Sequence, residues 1–148
     1  MKISNKVTAI LGECIALLHI VLFIYAAANK VLDFVNFQIQ LAQSPLLSSF
    51  AASISYTVPA IEIIISVLLV FSRTRLIGLY APFSLMVMFS AYIVIMINFS
   101  PFVPCSCGGI LEKMSWNQHL IFNIAFVLFG FLGILLFPKT NDRPNLRI

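Results

Sequence analysis

Two cysteines one residue apart, Cys105-Ser106-Cys107, are the residues best suited to covalent chemistry in this sequence. Such a pair can close a small disulfide ring, bind a soft metal through two thiolates, or stay inert. A ring between residues two apart departs from relaxed disulfide geometry, and strain makes a disulfide easier to reduce. The spacing therefore points first to an electron-accepting pair. Pro104 restrains the backbone before it, and Gly108-Gly109 leave room for a partner to approach. A fixed staple or inert thiols, and metal binding, are the alternatives that the residues leave open.

The other chemistry-bearing side chains are few. Glu13 and Glu62 lie within apolar runs, where a carboxyl is costly and normally faces the interior, neutral or paired. Both are candidate quinone-binding residues that would exchange protons with the cofactor. The alternative is a protonated carboxyl tying two helices together. His119 shares an expected surface with the cysteine pair and could move a proton during thiol exchange. It is also the third ligand of a soft-metal carrier, the least favoured function. His19 reads as a satisfied core residue, Cys14 as a buried small apolar one, and Met86, Met88 and Met96 as core filler. Lys30, with Asn29 and Asp33, reads as an interfacial anchor, with a cation beside the thiol loop as the alternative.

The composition says what must hold these groups. Of 148 residues, 61% are hydrophobic and 9% charged, and the mean hydropathy is +1.04. A soluble domain carries about 25% charged residues, so most of this surface must face lipid. The net charge of +4 sits in short segments between apolar runs, a topology signal that argues against nucleic-acid binding.

Four apolar runs, near residues 7–28, 50–71, 76–98 and 117–137, each approach the roughly 20 residues that cross a bilayer. Backbone groups in hydrocarbon must be satisfied internally, so the runs should be helices. The expected fold is an all-α integral membrane protein, a four-transmembrane-helix bundle forming one domain over residues 1–148. Lys2, Lys6 and Ala26-Ala27-Ala28 resemble a signal peptide, but the apolar stretch is too long and holds Glu13 and His19, so a retained helix is expected.

Seven basic residues (Lys2, Lys6, Arg73, Arg75, Lys139, Arg143, Arg147) fall on one side of the four runs, and two (Lys30, Lys113) on the other. The positive-inside rule makes both termini cytoplasmic and turns the Cys105/Cys107 loop outward, toward the oxidising compartment. Glu13 and Glu62 would then lie roughly 9 and 13 Å from the cytoplasmic face, at about 1.5 Å per residue.

Between the first two runs, Phe34, Phe37 and Leu41 suit a short amphipathic helix at the outer membrane surface. Alternation from Val35 to Leu41 would also suit a strand. Ser44-Pro45 reads as the N-cap and first residue of the second membrane helix. Pro59 and Pro82 should kink their helices. Ser115-Trp116-Asn117-Gln118 has the form of a capping box, and Gly130 and Gly133 permit a close helix contact.

Four segments in order between the runs carry a family resemblance: Asn29-Lys30-Val31-Leu32-Asp33-Phe34, Gln43-Ser44-Pro45-Leu46-Leu47, Pro59-Ala60-Ile61-Glu62 and Pro104-Cys105-Ser106-Cys107-Gly108-Gly109. Together they resemble the MauE branch of the DoxX-like membrane proteins over roughly residues 7–137. The resemblance implies a bacterial inner-membrane bundle linked to thiol–disulfide chemistry and to maturation of a disulfide-rich periplasmic partner, alongside a thioredoxin-like protein. Cys105 and Cys107 would be its redox pair. Lys30 and Glu62 match family-like positions without an assigned role. Membrane proteins that pass thiol electrons to quinone usually carry a second cysteine pair, which three cysteines do not supply here.

The expected function is periplasmic thiol–disulfide exchange or partner maturation, with quinone as the candidate electron acceptor. The partners are membrane lipid and a thioredoxin-like protein or cysteine-containing client. A non-catalytic subunit of a larger membrane or secretion assembly is the alternative, and the soft-metal carrier comes third.

Overall fold

The computed structural model describes residues 5–100 and 114–137. Five α-helices follow in order: α1 (Asn5–Leu32), α2 (Phe34–Gln43), α3 (Ala51–Val70), α4 (Arg75–Phe99) and α5 (Trp116–Leu136), with a 3-10 turn at Ser48–Phe50 ahead of α3. Four are long and apolar enough to span a bilayer: Lys6–Leu32, Ser48–Val70, Arg75–Phe99 and Trp116–Leu136. They lie within a residue or two of the runs expected from hydropathy, except that α1 continues past residue 28. Its extension carries its own carbonyl partners, since Asn29 Nδ2 donates to Tyr25 O at 3.0 Å and Lys30 Nζ reaches Ala26 O at 3.4 Å.

α1 packs on α3, α3 on α4, α4 on α5 and α5 back on α1, so the four long helices form a closed ring. Each turns a narrow stripe inward. On α1 the stripe is Gly12, Ile15, Ala16, His19, Phe23 and Ala27, and on α3 it is Ala51, Ser55, Pro59, Glu62, Ile65, Ser66 and Leu69. Small and polar residues recur in these stripes while large side chains such as Val21, Tyr56, Ile77 and Leu135 face outward. Lipid is as apolar as leucine, so burying large side chains adds little, and close packing of small ones governs helix association. The multi-pass membrane character of the chain is thus written in its burial pattern as well as its hydropathy.

Two expectations fail on geometry. Cys14 is exposed. It stands two residues, about 200° of rotation, from Gly12, on the face opposite the buried stripe. Ser44 does not start α3; it ends α2, buried, with its hydroxyl 2.7 Å from Tyr92 Oη of α4. Ser44, Pro45 and Leu47 form a turn, and α3 begins seven residues after Ser44, at Ala51. Residues 34–43 form a helix, not a strand. Phe37 and Leu41 are buried with Ala51 in a small cluster completed by Leu47 and Ile54.

The Ser115 capping box is present: Gln118 N donates to Ser115 Oγ at 3.3 Å, and Ser115 N donates to Gln118 Oε1 at 3.0 Å. The α3–α4 connection is equally well tied. Thr74 Oγ1 donates to Leu68 O at 2.8 Å and Arg75 Nε donates to Leu69 O at 3.1 Å, satisfying carbonyls that the end of α3 leaves free. Gly78 then lies against that backbone, and a Cβ there would sit 3.0 Å from Leu68 C and Leu69 N. Gly78→Ala should therefore force the two helices apart and lower stability by about 1–3 kcal/mol, as overpacking does. Gly12→Ala, where a Cβ meets nothing within 4 Å, should leave it unchanged or raised. Denaturation in mixed micelles would compare them, and equal loss in both would refute the close-contact account.

Candidate functional site

At one end of the ring lie the C-termini of α1 and α4 and the N-termini of α3 and α5, with α2 beside them. Here Lys30, in the last turn of α1, does not anchor at an interface as its position suggested. Its side chain runs back along α1 into the bundle, 15% exposed, and its Nζ meets Glu62 Oε1 of α3 at 2.7 Å. Glu62 is 2% exposed. The ammonium also stands 5.9 Å from the centre of the Phe37 ring of α2, within cation–π range. The inward course follows from periodicity: Lys30 continues the Ala16, His19, Phe23, Ala27 stripe at the next three-residue step.

The pair is incompletely satisfied. Glu62 Oε2 has no hydrogen-bond partner among the described residues, and the same holds for Gln40 Oε1 on α2, His119 Nδ1 on α5 and His19 Nε2 on α1. His119 is half-buried in the first turn of α5, stacked on Trp116 with ring centres 6.3 Å apart, and close enough to feel the Lys30 charge. His19 is fully buried. Its Nδ1 donates to Ile15 O at 2.8 Å, its ring meets Phe126 edge-on, and Gly130 makes room beside its Nε2. His19 is thus a core residue, held by Ile15 O and set against Phe126.

Glu13 has a different neighbourhood. It is 53% exposed and pairs with Arg75 at the far end of the bundle, 17 residues along α1 from Lys30. At about 1.5 Å per residue the two ion pairs are some 20–25 Å apart, so Glu13 and Glu62 do not share a site. An apolar groove between α3 and α4, lined by residues including Ile61, Leu68, Ser84 and Met88, has one hydroxyl, and Ser84 Oγ already donates to Tyr80 O at 2.9 Å. One quinone head group therefore cannot be held by Glu13 and Glu62 together.

Cys105 and Cys107 lie outside the described residues. The segment that carries them joins Ser100, after α4, to Met114, before α5, so both of its attachments are at the Lys30 end. Among the described residues no group of three metal-ligating side chains is found.

The fold and these residues define a class: a four-span membrane bundle with an ion pair inside one end and a dithiol segment attached at that same end. Within that class the family is specific. The family model described as methylamine utilisation protein MauE matches residues 8–136, and the chain belongs to that family. No curated protein and no solved structure matches it.

A buried ion pair is recognised by what happens when one half is removed. Lys30→Met or Glu62→Leu alone should cost about 3–5 kcal/mol, because each strands a buried charge, while the double variant should recover most of the loss. Unfolding of the four proteins in a double-mutant cycle checks this, and additive losses would contradict it. Glu13→Gln, at a half-exposed pair, should cost no more than about 1 kcal/mol in the same assay.

Proposed function

We propose that this MauE-family protein supports thiol–disulfide exchange with a partner outside the bacterial inner membrane through Cys105 and Cys107. Both termini are cytoplasmic in this reading, supported by the seven of nine basic residues that fall on one side of the four apolar runs in the sequence. The observation that carries it is the Cys-x-Cys spacing in a segment attached at both ends to the bundle end opposite the basic turn. α2 then lies near the outer membrane surface, and the whole chain acts as one membrane domain.

The exchange follows ordinary disulfide chemistry. A thiolate of a thioredoxin-like partner or client attacks one sulfur of the oxidised pair, forming a mixed disulfide and releasing the other cysteine as a thiolate. The partner's second thiol resolves that bond. Two electrons and two protons have then passed to the pair, and the client holds the new disulfide. A second disulfide-bearing protein of the same class re-oxidises the pair by the reverse steps. His119, in the first turn after the cysteine segment, is the described side chain suited to carry one of the protons. Cys14 takes no part, since it faces lipid.

Trapping tests the proposal. With Cys107→Ala or Cys105→Ala, one of the two proteins should accumulate a reducible, higher-mass adduct with a periplasmic protein. Membrane-impermeant thiol alkylation of intact cells should reach the native pair only after reduction. Absence of an adduct in both variants, or a pair that alkylates only after the membrane is opened, would count against exchange at this face. Stoichiometric metal in the purified native chain would favour the metal-carrier alternative.

A further inference from the structure

The unsatisfied atoms are not scattered. α1 and α5 run antiparallel, with Ile15 against Gly133 and His19 against Gly130. Counting eleven residues from that contact in each helix brings Lys30 level with His119, about 16 Å nearer the Lys30 end. Between these levels α5 buries Asn123, one turn from His119. Lys30 holds Glu62 across from α3, and α2 adds Gln40 one turn beyond Phe37. α4 contributes no charged side chain after Arg75. Polar groups therefore gather at the Lys30 end as deep as Glu62 and Asn123, while Phe23 and Phe126 stand between Asn123 and His19 on the α1–α5 seam.

Past Asn123 the character changes, and Phe23 and Met86 are buried in an apolar cluster with Phe126 against it. Ile15, Ile65, Leu69 and Leu79 are buried and apolar, and Gly133 closes on Ile15 so tightly that a Cβ would approach its Cγ2 to 2.9 Å. Ser66, buried between Ile65 and Leu69, spends its hydroxyl on Glu62 O at 2.9 Å, and charged groups resume at Glu13 and Arg75. Glu13 is six residues from His19, about 9 Å along the helix.

Buried acceptors without partners are expensive, and in a polar interior the usual donor is ordered water. Among the described residues Lys30 donates to Glu62 Oε1 and Ala26 O, two of the three bonds that an ammonium can make. We propose that the Lys30–Glu62 pair, with His119 and Asn123, forms a one-sided water-filled proton site, open at the Lys30 end and closed by the apolar core that runs from Phe23 and Met86 to Ile15, Leu79 and Gly133. Water there donates to Glu62 Oε2 and accepts from Lys30. A proton reaching Glu62 from bulk on that side leaves hydroxide to bulk and a neutral carboxyl beside Lys30. The site does not depend on the cysteines, so it stands or falls apart from the exchange chemistry.

The native chain has two histidines, which makes them the reporters. In protein labelled with 15N at the histidine rings and embedded in phosphatidylcholine bilayers, water-edited solid-state NMR should transfer magnetisation from mobile water to the His119 ring as fast as to surface residues, and to the His19 ring more slowly. His19→Gln assigns the two signals. Transfer to the His119 ring no faster than to the buried methyl groups of Leu69 and Leu79 overturns the proposal.

Sidedness is read in a Cys14→Ala, Cys105→Ser, Cys107→Ser chain with a charged, membrane-impermeant methanethiosulfonate. Asn123→Cys should be labelled from the side that labels Asn117→Cys, not from the side that labels Ser72→Cys, and Leu79→Cys from neither. Labelling of Asn123→Cys from the Ser72 side overturns a closed plug, whether or not the cysteine-free chain carries out exchange. If the substituted chains fail to fold, the NMR of the native chain decides.

Discussion

A lysine and a glutamate facing each other inside a membrane bundle constrain everything around them. Each charge alone would be costly at that depth, and together they hold only while α1 and α3 keep their side chains in register. That register fixes the end of α1 against α3. It draws α2 in beside Lys30 through the Phe37 ring and leaves α5 to close the ring through its glycines. Because Glu62 gives only one oxygen to Lys30, the pair organises the bundle without exhausting its own hydrogen-bonding capacity. Structure and reactivity at this end therefore come from the same two side chains.

The two ends of the bundle use charge differently. The Glu13–Arg75 pair lies half in the open and belongs to a clasp in which Arg75 and Thr74 also occupy the terminal carbonyls of α3. It ties three helices at a turn and involves no deeply buried acceptor. The Lys30 end has the opposite balance, with buried groups partly unpaired and the dithiol segment attached nearby. The apolar middle separates a fastening from a site.

How much of this could be read from residues alone depended on which physical signal each feature left. The four membrane-length helices, and all but one of their limits, followed from long apolar runs, and the Ser115 box followed from four residues whose bonds are purely local. The orientation of Lys30 was missed because its place at the end of an apolar run suits an anchor, and a count of hydrophobic residues carries no rotation. The missing signal was present in outline. Ala16, His19, Phe23, Ala27 and Lys30 step by three or four, as do His119, Asn123, Phe126, Gly130 and Gly133. In a membrane helix a stripe of small and polar residues at that step marks the inward face. The same rule turns Cys14 outward. The pairing of Lys30 with Glu62 needed more, since 32 residues and the whole α2 excursion separate them.

The lone tryptophan adds a consequence of its own. Trp116 lies nearly parallel to the His119 ring at the first turn of α5, 6.3 Å from it centre to centre, so the indole's excited state adjoins an imidazole whose charge can change. Light emitted by this one side chain would therefore dim or brighten with events at the mouth of the bundle, giving the molecule an optical gauge that needs no added label.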